Sequence, residues 1–231
     1  YFVRLVSDIQ GGNERLRMKR KLLIITLVLF YFSGTAQERL FQLRNLNNIE
    51  VQLSEITSVA VTERNYFAPN TGELDLSVFG DFSGEFNLAK WFEIGAKERI
   101  VGYKGIDGWK VEQRPMVYGN LSTCLGKMEI EFNNRLEYKI SKYIDNYLRH
   151  KQSLVLEVPP FKFSWLKLYA AEEGFYCFNS EQFNRGRLSS GTIIKWNKNL
   201  EMKLYYMLER SKYDLKWANT DIVGFHLNAD F

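Results

Sequence analysis

Ile222-Val223-Gly224-Phe225-His226-Leu227-Asn228-Ala229-Asp230-Phe231 is the stretch that decides the fold. Val223, Phe225, Leu227, Ala229 and Phe231 are apolar, and Gly224, His226, Asn228 and Asp230 between them are small or polar. A period of two sends successive side chains to opposite faces of an extended strand, one oily and one wet. The stretch ends on an aromatic residue with no polar tail after it.

The same alternation recurs upstream. Leu74, Leu76, Val78, Phe82, Phe86 and Leu88 oppose Glu73, Asp75, Ser77, Asp81, Ser83, Glu85 and Asn87. Met128, Ile130, Phe132, Leu136, Tyr138 and Ile140 oppose Glu129, Glu131, Asn133, Arg135, Glu137 and Lys139. Leu200, Met202, Leu204, Tyr206 and Leu208 oppose Glu201, Lys203, Tyr205 and Glu209. A helix would scatter these residues around its circumference, whereas a strand sorts them. The rhythm predicts about ten strands, near 49–67, 73–88, 91–103, 109–125, 127–140, 146–158, 164–178, 184–196, 200–211 and 221–231. Gln37 to Asn48 reads as a lead-in or a first half-strand.

Ahead of the strands lies an export signal. Lys19, Arg20 and Lys21 precede an apolar run from Leu22 to Phe32, which is too short for a spanning helix of about 20 residues. Gly34 and Ala36 are the small residues a signal peptidase favours, so cleavage is expected before Gln37. The expected organisation is 1–17 as upstream extension, 18–36 as signal peptide, and 37–231 as the barrel. Residues 1–36 hold six of the 31 Lys and Arg but two of the 27 acids, leaving 25 of each sign in the mature chain. That balance gives no basis for a nucleic-acid partner. No Cys/His cluster with metal spacing occurs, and neither a metal nor a cofactor is implied. Cys124 and Cys177 fall on non-neighbouring strands and are expected as free, buried thiols.

Repeated two-faced strands behind an export signal predict an all-β, antiparallel transmembrane barrel of about ten strands, within a range of 8–12, in the outer membrane of a Gram-negative cell. The large apolar residues would face lipid, and the polar faces, with alternating signs, would pair across the lumen. A soluble exported, lipocalin-like barrel would turn the faces the other way. A closed barrel satisfies every backbone hydrogen bond, as a bilayer requires. Connections alternate between mostly short (Ala89-Lys90, Gly126, Pro159 to Phe163, Asn197 to Asn199) and longer (Ala68 to Gly72, Lys104 to Gly108, Ser141 to Asp145, Asn179 to Phe183, Lys212 to Thr220). Together with an even strand count, this places both ends on the periplasmic side. Trp91, Trp165 and Trp196 sit beside the shorter connections and suit an inner aromatic girdle. Glu98, Asn134, His150, Gln152 and Glu172 fall on the nominal lipid face. The expected partners are outer-membrane lipid and the barrel-assembly machinery, engaged through the last strand ending at Phe231.

Arg114-Pro115, Asn134-Arg135-Leu136-Glu137-Tyr138, the strand of Arg149, Glu172-Glu173 with Phe178-Asn179, and Asn184-Arg185 with Arg187 and Gly191 resemble an uncharacterised family of Gram-negative exported proteins. It is catalogued as domain of unknown function 2490. The resemblance runs from about Leu74 to Phe231 and implies an outer-membrane β-barrel with no established activity.

The candidate site is the luminal network of Glu112, Arg114, Glu129, Glu131, Arg135, Glu137, Arg149, Glu173 and Arg187. It reads as a structural network or as a binding track for a small solute, because buried charges must be paired. No catalytic residue is assigned. The rival reading is a barrel enzyme acting on lipid or peptide at the outer rim, with Asp145 and His150 or the mid-strand His226 as its acid–base groups. A third is partner binding through the loop from Lys212 to Thr220, with Tyr213 and Trp217.

Overall fold

In a computed structural model of the chain, eleven strands close into a barrel. The structure describes residues 39–68, 75–105, 108–143, 145–159, 165–213 and 216–231. The expected export signal and upstream extension lie outside those residues. The strands are β1 (Arg39–Gln52), β2 (Thr57–Ala68), β3 (Asp75–Ala89), β4 (Phe92–Gly105), β5 (Gly108–Leu125) and β6 (Met128–Ser141). They continue as β7 (Tyr147–Val158), β8 (Leu166–Cys177), β9 (Gln182–Lys195), β10 (Leu200–Tyr213) and β11 (Lys216–Asp230). Each strand pairs antiparallel with its neighbour in sequence, and β1 closes the ring on β11.

The strand number corrects the expectation of ten. The expected first strand, 49–67, holds the end of β1, the turn Leu53–Ile56 and nearly all of β2, while the segment read as a lead-in or half-strand, Gln37 to Asn48, supplies most of β1. That turn contains no Gly or Pro. It is held by Leu53 N–H donating to the Thr57 carbonyl (2.9 Å) and by the Gln52 side-chain amide donating to the Ser54 carbonyl (2.5 Å). An odd number of up-and-down strands leaves the first and last pointing the same way. The closing β1–β11 pair is therefore parallel, running from Arg39↔Asn219 to Glu50↔Asp230. The start of β1 and the carboxy terminus consequently lie at opposite ends of the barrel, not at one end as the even count implied. Phe231 completes the seam. Its N–H donates to the Glu50 carbonyl (2.9 Å), and its own carbonyl accepts from Gln52 N–H (2.7 Å).

The faces fall as the alternation demands. Large apolar side chains cover the outside, with Phe82 63% and Val117 57% exposed, while Asp81 (3%) and Glu137 (1%) are buried within. A lipocalin-like barrel would show the opposite. Exposed Trp91, Trp165 and Trp196 ring the end that holds the carboxy terminus, and exposed Trp109, Tyr143, Phe178 and Phe183 ring the other. The expected contrast in connection length is absent. Seven residues separate β7 from β8, which are joined at the carboxy-terminal end, whereas only two separate β4 from β5 and β10 from β11, which are joined at the opposite end. The supposed partner loop is mostly strand, since Lys212 and Tyr213 belong to β10 and Lys216 to Thr220 to β11. Both cysteines are free, but only Cys177 is buried; Cys124 is exposed.

Eleven strands make a narrow barrel, and side chains must fit its bore. One inward row alternates large and small residues, with Tyr169, Gly191, Tyr205 and Gly224 in register across β8 to β11. The Tyr205 ring occupies the space over Gly224, where a Cβ would lie 1.9 Å from its Cζ. Tyr118 covers Gly95 in the same way and reaches past it to donate to Glu85 Oε1 (2.5 Å). The last hairpin turn before β6 depends on Gly126, whose φ of 64° favours a residue without a Cβ.

Candidate functional site

Inside the bore, period-two alternation brings charged side chains from β1 to β10 into one belt. Five carboxylates organise it. Glu137 accepts from Arg149 Nη2 (2.5 Å) and Arg135 Nη2 (3.1 Å), with Arg114 Nη1 at 3.6 Å. Glu209 accepts from Arg187 Nε (2.6 Å) and Arg44 Nη2 (3.2 Å), with Arg185 Nε at 3.7 Å. Asp81 is gripped at both oxygens by Arg99 (2.6 and 2.7 Å) and also by Arg64 (3.1 Å). Glu173 takes Lys151 Nζ (2.5 Å) and Arg187 Nη1 (3.1 Å), and Glu112 takes Lys139 Nζ (2.7 Å) and Arg114 Nε. Ten cations thus meet five carboxylates. A buried carboxylate is tolerable only when its lone pairs are taken up by such donors.

Aromatic rings carry part of the excess. Phe175, 1% exposed, has Arg187 at 4.9 Å from its centroid, Arg149 at 5.0 Å, Arg185 at 5.7 Å and Lys151 at 5.9 Å. The Arg44 guanidinium lies 4.3 Å from the centre of the Tyr66 ring. Ring faces attract cations through their quadrupole, most strongly where water is excluded.

Two cavities share the bore. One, of about 580 Å³, opens among the arginines of the belt and reaches Gln42, Ser77 and Tyr103 towards the end opposite the carboxy terminus. The other, of about 500 Å³, is lined by Glu50, Glu85, Glu93 and Glu131 with Asn120 and Asn228. Arg135 and Lys151 border both and stand between them. The interior is therefore polarised, basic on one side of that pair and acidic on the other.

Of the nine candidate residues, Glu112, Arg114, Arg135, Glu137, Arg149, Glu173 and Arg187 meet in the belt. Glu131 belongs to the acidic cavity. Glu129 sits at the carboxy-terminal rim, bridged by Lys167 Nζ (2.5 Å), which also holds Glu157 (3.0 Å). The sequence reading left out Arg44, Arg64, Arg99, Lys151 and Arg185 as site residues, and it treated Asp81 and Glu209 only as members of polar faces. Their signal was present, since each continues the polar parity of its strand. What was missing was the pairing across strands.

The rim-enzyme residues do not come together. His150 points outward and shares a hydrogen bond with Asn134 Oδ1 (3.2 Å), not with Asp145. His226 faces the bore opposite Lys203 in register. Among the described residues, no three His, Cys, Asp or Glu side chains form a metal-holding group. The outward polar residues expected at 98, 134, 150, 152 and 172 are indeed on the outer wall. A second outward group joins them on β1 and β2, where Asn65 and Asn47 donate to Glu63 (3.1 and 3.4 Å).

Comparison with known proteins adds a family and a fold. The model of a family described as "Protein of unknown function (DUF2490)" matches residues 50–219. Among solved structures, LpxR from Salmonella typhimurium superposes with a TM-score of 0.56 at 8% identity, covering 80% of this chain and 87% of that one. The translocator domain of the autotransporter NalP from Neisseria meningitidis gives a TM-score of 0.39 at 11% identity, covering 74% and 73%. No curated protein matches the sequence. The likeness to LpxR is one of barrel architecture and assigns no role to any residue.

Proposed function

The chain belongs to the DUF2490 family, and from that premise we propose an outer-membrane β-barrel whose lumen binds a small solute and restricts its passage. One observation carries this reading: Arg135 and Lys151 stand across the bore between two cavities, each too small for free diffusion of large solutes. An open porin needs 16–18 strands, while bores near eight strands are filled by side chains. Placement in a membrane is supported by the apolar exterior, the aromatic rings at both ends and the closed ladder of backbone hydrogen bonds. In this reading the carboxy terminus faces the periplasm, the assembly machinery engages β11 there, and β1 begins at the outer face.

Planar-bilayer recording of the purified, folded chain tests the reading. The expected result is a conductance far below that of a general porin, raised when Arg135 and Lys151 are both replaced by Ala. A large ohmic conductance in the unaltered protein would contradict it.

A further inference from the structure

We infer that the larger cavity is a site for a small oxyanion, a soluble phosphate or phosphorylated solute entering from the end opposite the carboxy terminus. This rests on the reading of the lumen as a solute-binding bore. Three observations lead to it. The belt holds twice as many cations as carboxylates, so its own acids leave positive charge uncompensated. Donors remain unspent as well. Arg149 is 5% exposed and Arg135 stands beside it, yet the Nε of each is buried without a partner among the described residues. Finally, four cations converge on the single ring of Phe175, a geometry that brings like charges together. The four share three carboxylates, Glu137, Glu173 and Glu209, two of which also serve other cations of the belt, so a further anion would lower the cost of the gathering.

Glu173 and Glu209 line the same cavity and are already engaged by Lys151, Arg185 and Arg187, and the other acids of the bore lie elsewhere. Glu50, Glu85, Glu93 and Glu131 line the second cavity, on the far side of Arg135 and Lys151. They oppose an anion moving onward, so the basic cavity is a place where an anion is held. The class of anion follows from donor geometry. Guanidinium groups present N–H donors in a planar fork that matches the oxygens of phosphate two at a time. The barrel wall separates the cavity from bilayer lipid, which favours a soluble phosphate over a lipid headgroup.

Isothermal titration of the folded, full-length barrel with inorganic phosphate and with pyrophosphate tests the inference, heat-modifiable gel migration first confirming the fold. Saturable binding is expected, weakened about tenfold or more in Arg135→Gln, the loss of a charge-assisted hydrogen bond. Arg185→Gln, whose contact with Glu209 is looser at 3.7 Å, serves as a second variant if the first does not fold. Absence of saturable heat from a folded barrel would overturn the oxyanion site, as would equal affinity in the folded variants. Glucose and spermidine are titrated in parallel. If either binds where phosphate does not, the oxyanion inference fails while the solute-binding reading stands. If nothing binds, and the bilayer shows a large ohmic conductance, both fail.

Discussion

Glu137→Gln is expected to destabilise the barrel by about 3–5 kcal/mol, the cost of breaking a buried ion pair from one side. Glu137 is 1% exposed and is the point on which Arg149, Arg135 and Arg114 converge. Gln keeps the shape but removes the charge, so three guanidinium groups from β5, β6 and β7 lose their shared counter-ion. Urea unfolding in vesicles, followed by tryptophan fluorescence, measures the change. Glu98→Gln is the matched control, because Glu98 is exposed on the outer wall of β4 between Phe82 and Pro115 in register. It should not destabilise the barrel, because a charge facing lipid is itself unfavourable and Gln removes it. Equal losses in the two variants would mean that the belt contributes nothing special to the fold.

The second large effect comes from one missing methyl group. Gly191→Ala is expected to cost at least the about 1–3 kcal/mol of ordinary overpacking, with loss of the heat-modifiable folded band. A Cβ at residue 191 would lie 2.0 Å from the Leu204 carbonyl oxygen and 2.8 Å from Tyr205 Cα. Those atoms are backbone, so no rotamer change relieves the clash and β10 itself must move away from β9. Gly84→Ala makes the contrast. Nothing lies within 4 Å of a Cβ there, and Ala gains about 0.5–1 kcal/mol over Gly in a strand. Folding of Gly191→Ala to the level of Gly84→Ala would show that the close approach of β9 and β10 is not required.

Much of this architecture was legible in the chain. From β3 onward the outer face is mainly oily, with Glu98, Asn134, His150, Gln152 and Glu172 among its polar interruptions, and the expected segments meet the observed ones within a few residues at most ends; β11 is the exception, beginning at Lys216 instead of near 221. The error lies at the start, and its cause is physical. β1 and β2 carry Asn45, Asn47, Glu63 and Asn65 on the face that should be apolar, which blurs the alternation. The turn between them is made by Gln52 and Ser54 hydrogen bonds, and it lacks the Gly or Pro that marks a reversal. Reading most of β1 as a lead-in and running its last residues into β2 turned an odd count into an even one. From that single slip came the wrong placement of the chain ends. The loop-length argument failed for a related reason, because strands such as β10 and β11 extend through polar residues that read as loop.

The site was legible as chemistry but not as geometry. Parity alone sent Glu112, Glu137, Arg149 and Arg187 inward. It did not reveal that Arg44 reaches Glu209 across β11, since that contact exists only once β1 has closed the ring. Nor did it show that Glu129 and Glu131, on the same strand and face as Glu137, lie outside the belt. Their distance along β6 puts one at the rim and the other beside the acidic cavity. The outward polar residues of β6 to β8 were foreseen as misfits, and the structure keeps them outside with Asn134 and His150 bonded to each other.

The central claim is that oily side chains face lipid and ionic ones face the bore. Site-directed nitroxide scanning along β10 tests it most directly, in liposomes, with Cys124 and Cys177 first replaced by Ser. Labels are placed singly at Leu204, Tyr205, Tyr206, Met207, Leu208 and Glu209, and their accessibility to dissolved oxygen is compared with that to a water-soluble nickel complex. The account predicts oxygen maxima at 204, 206 and 208, with minima between them. Maxima at 205, 207 and 209, or no alternation at all, would contradict it.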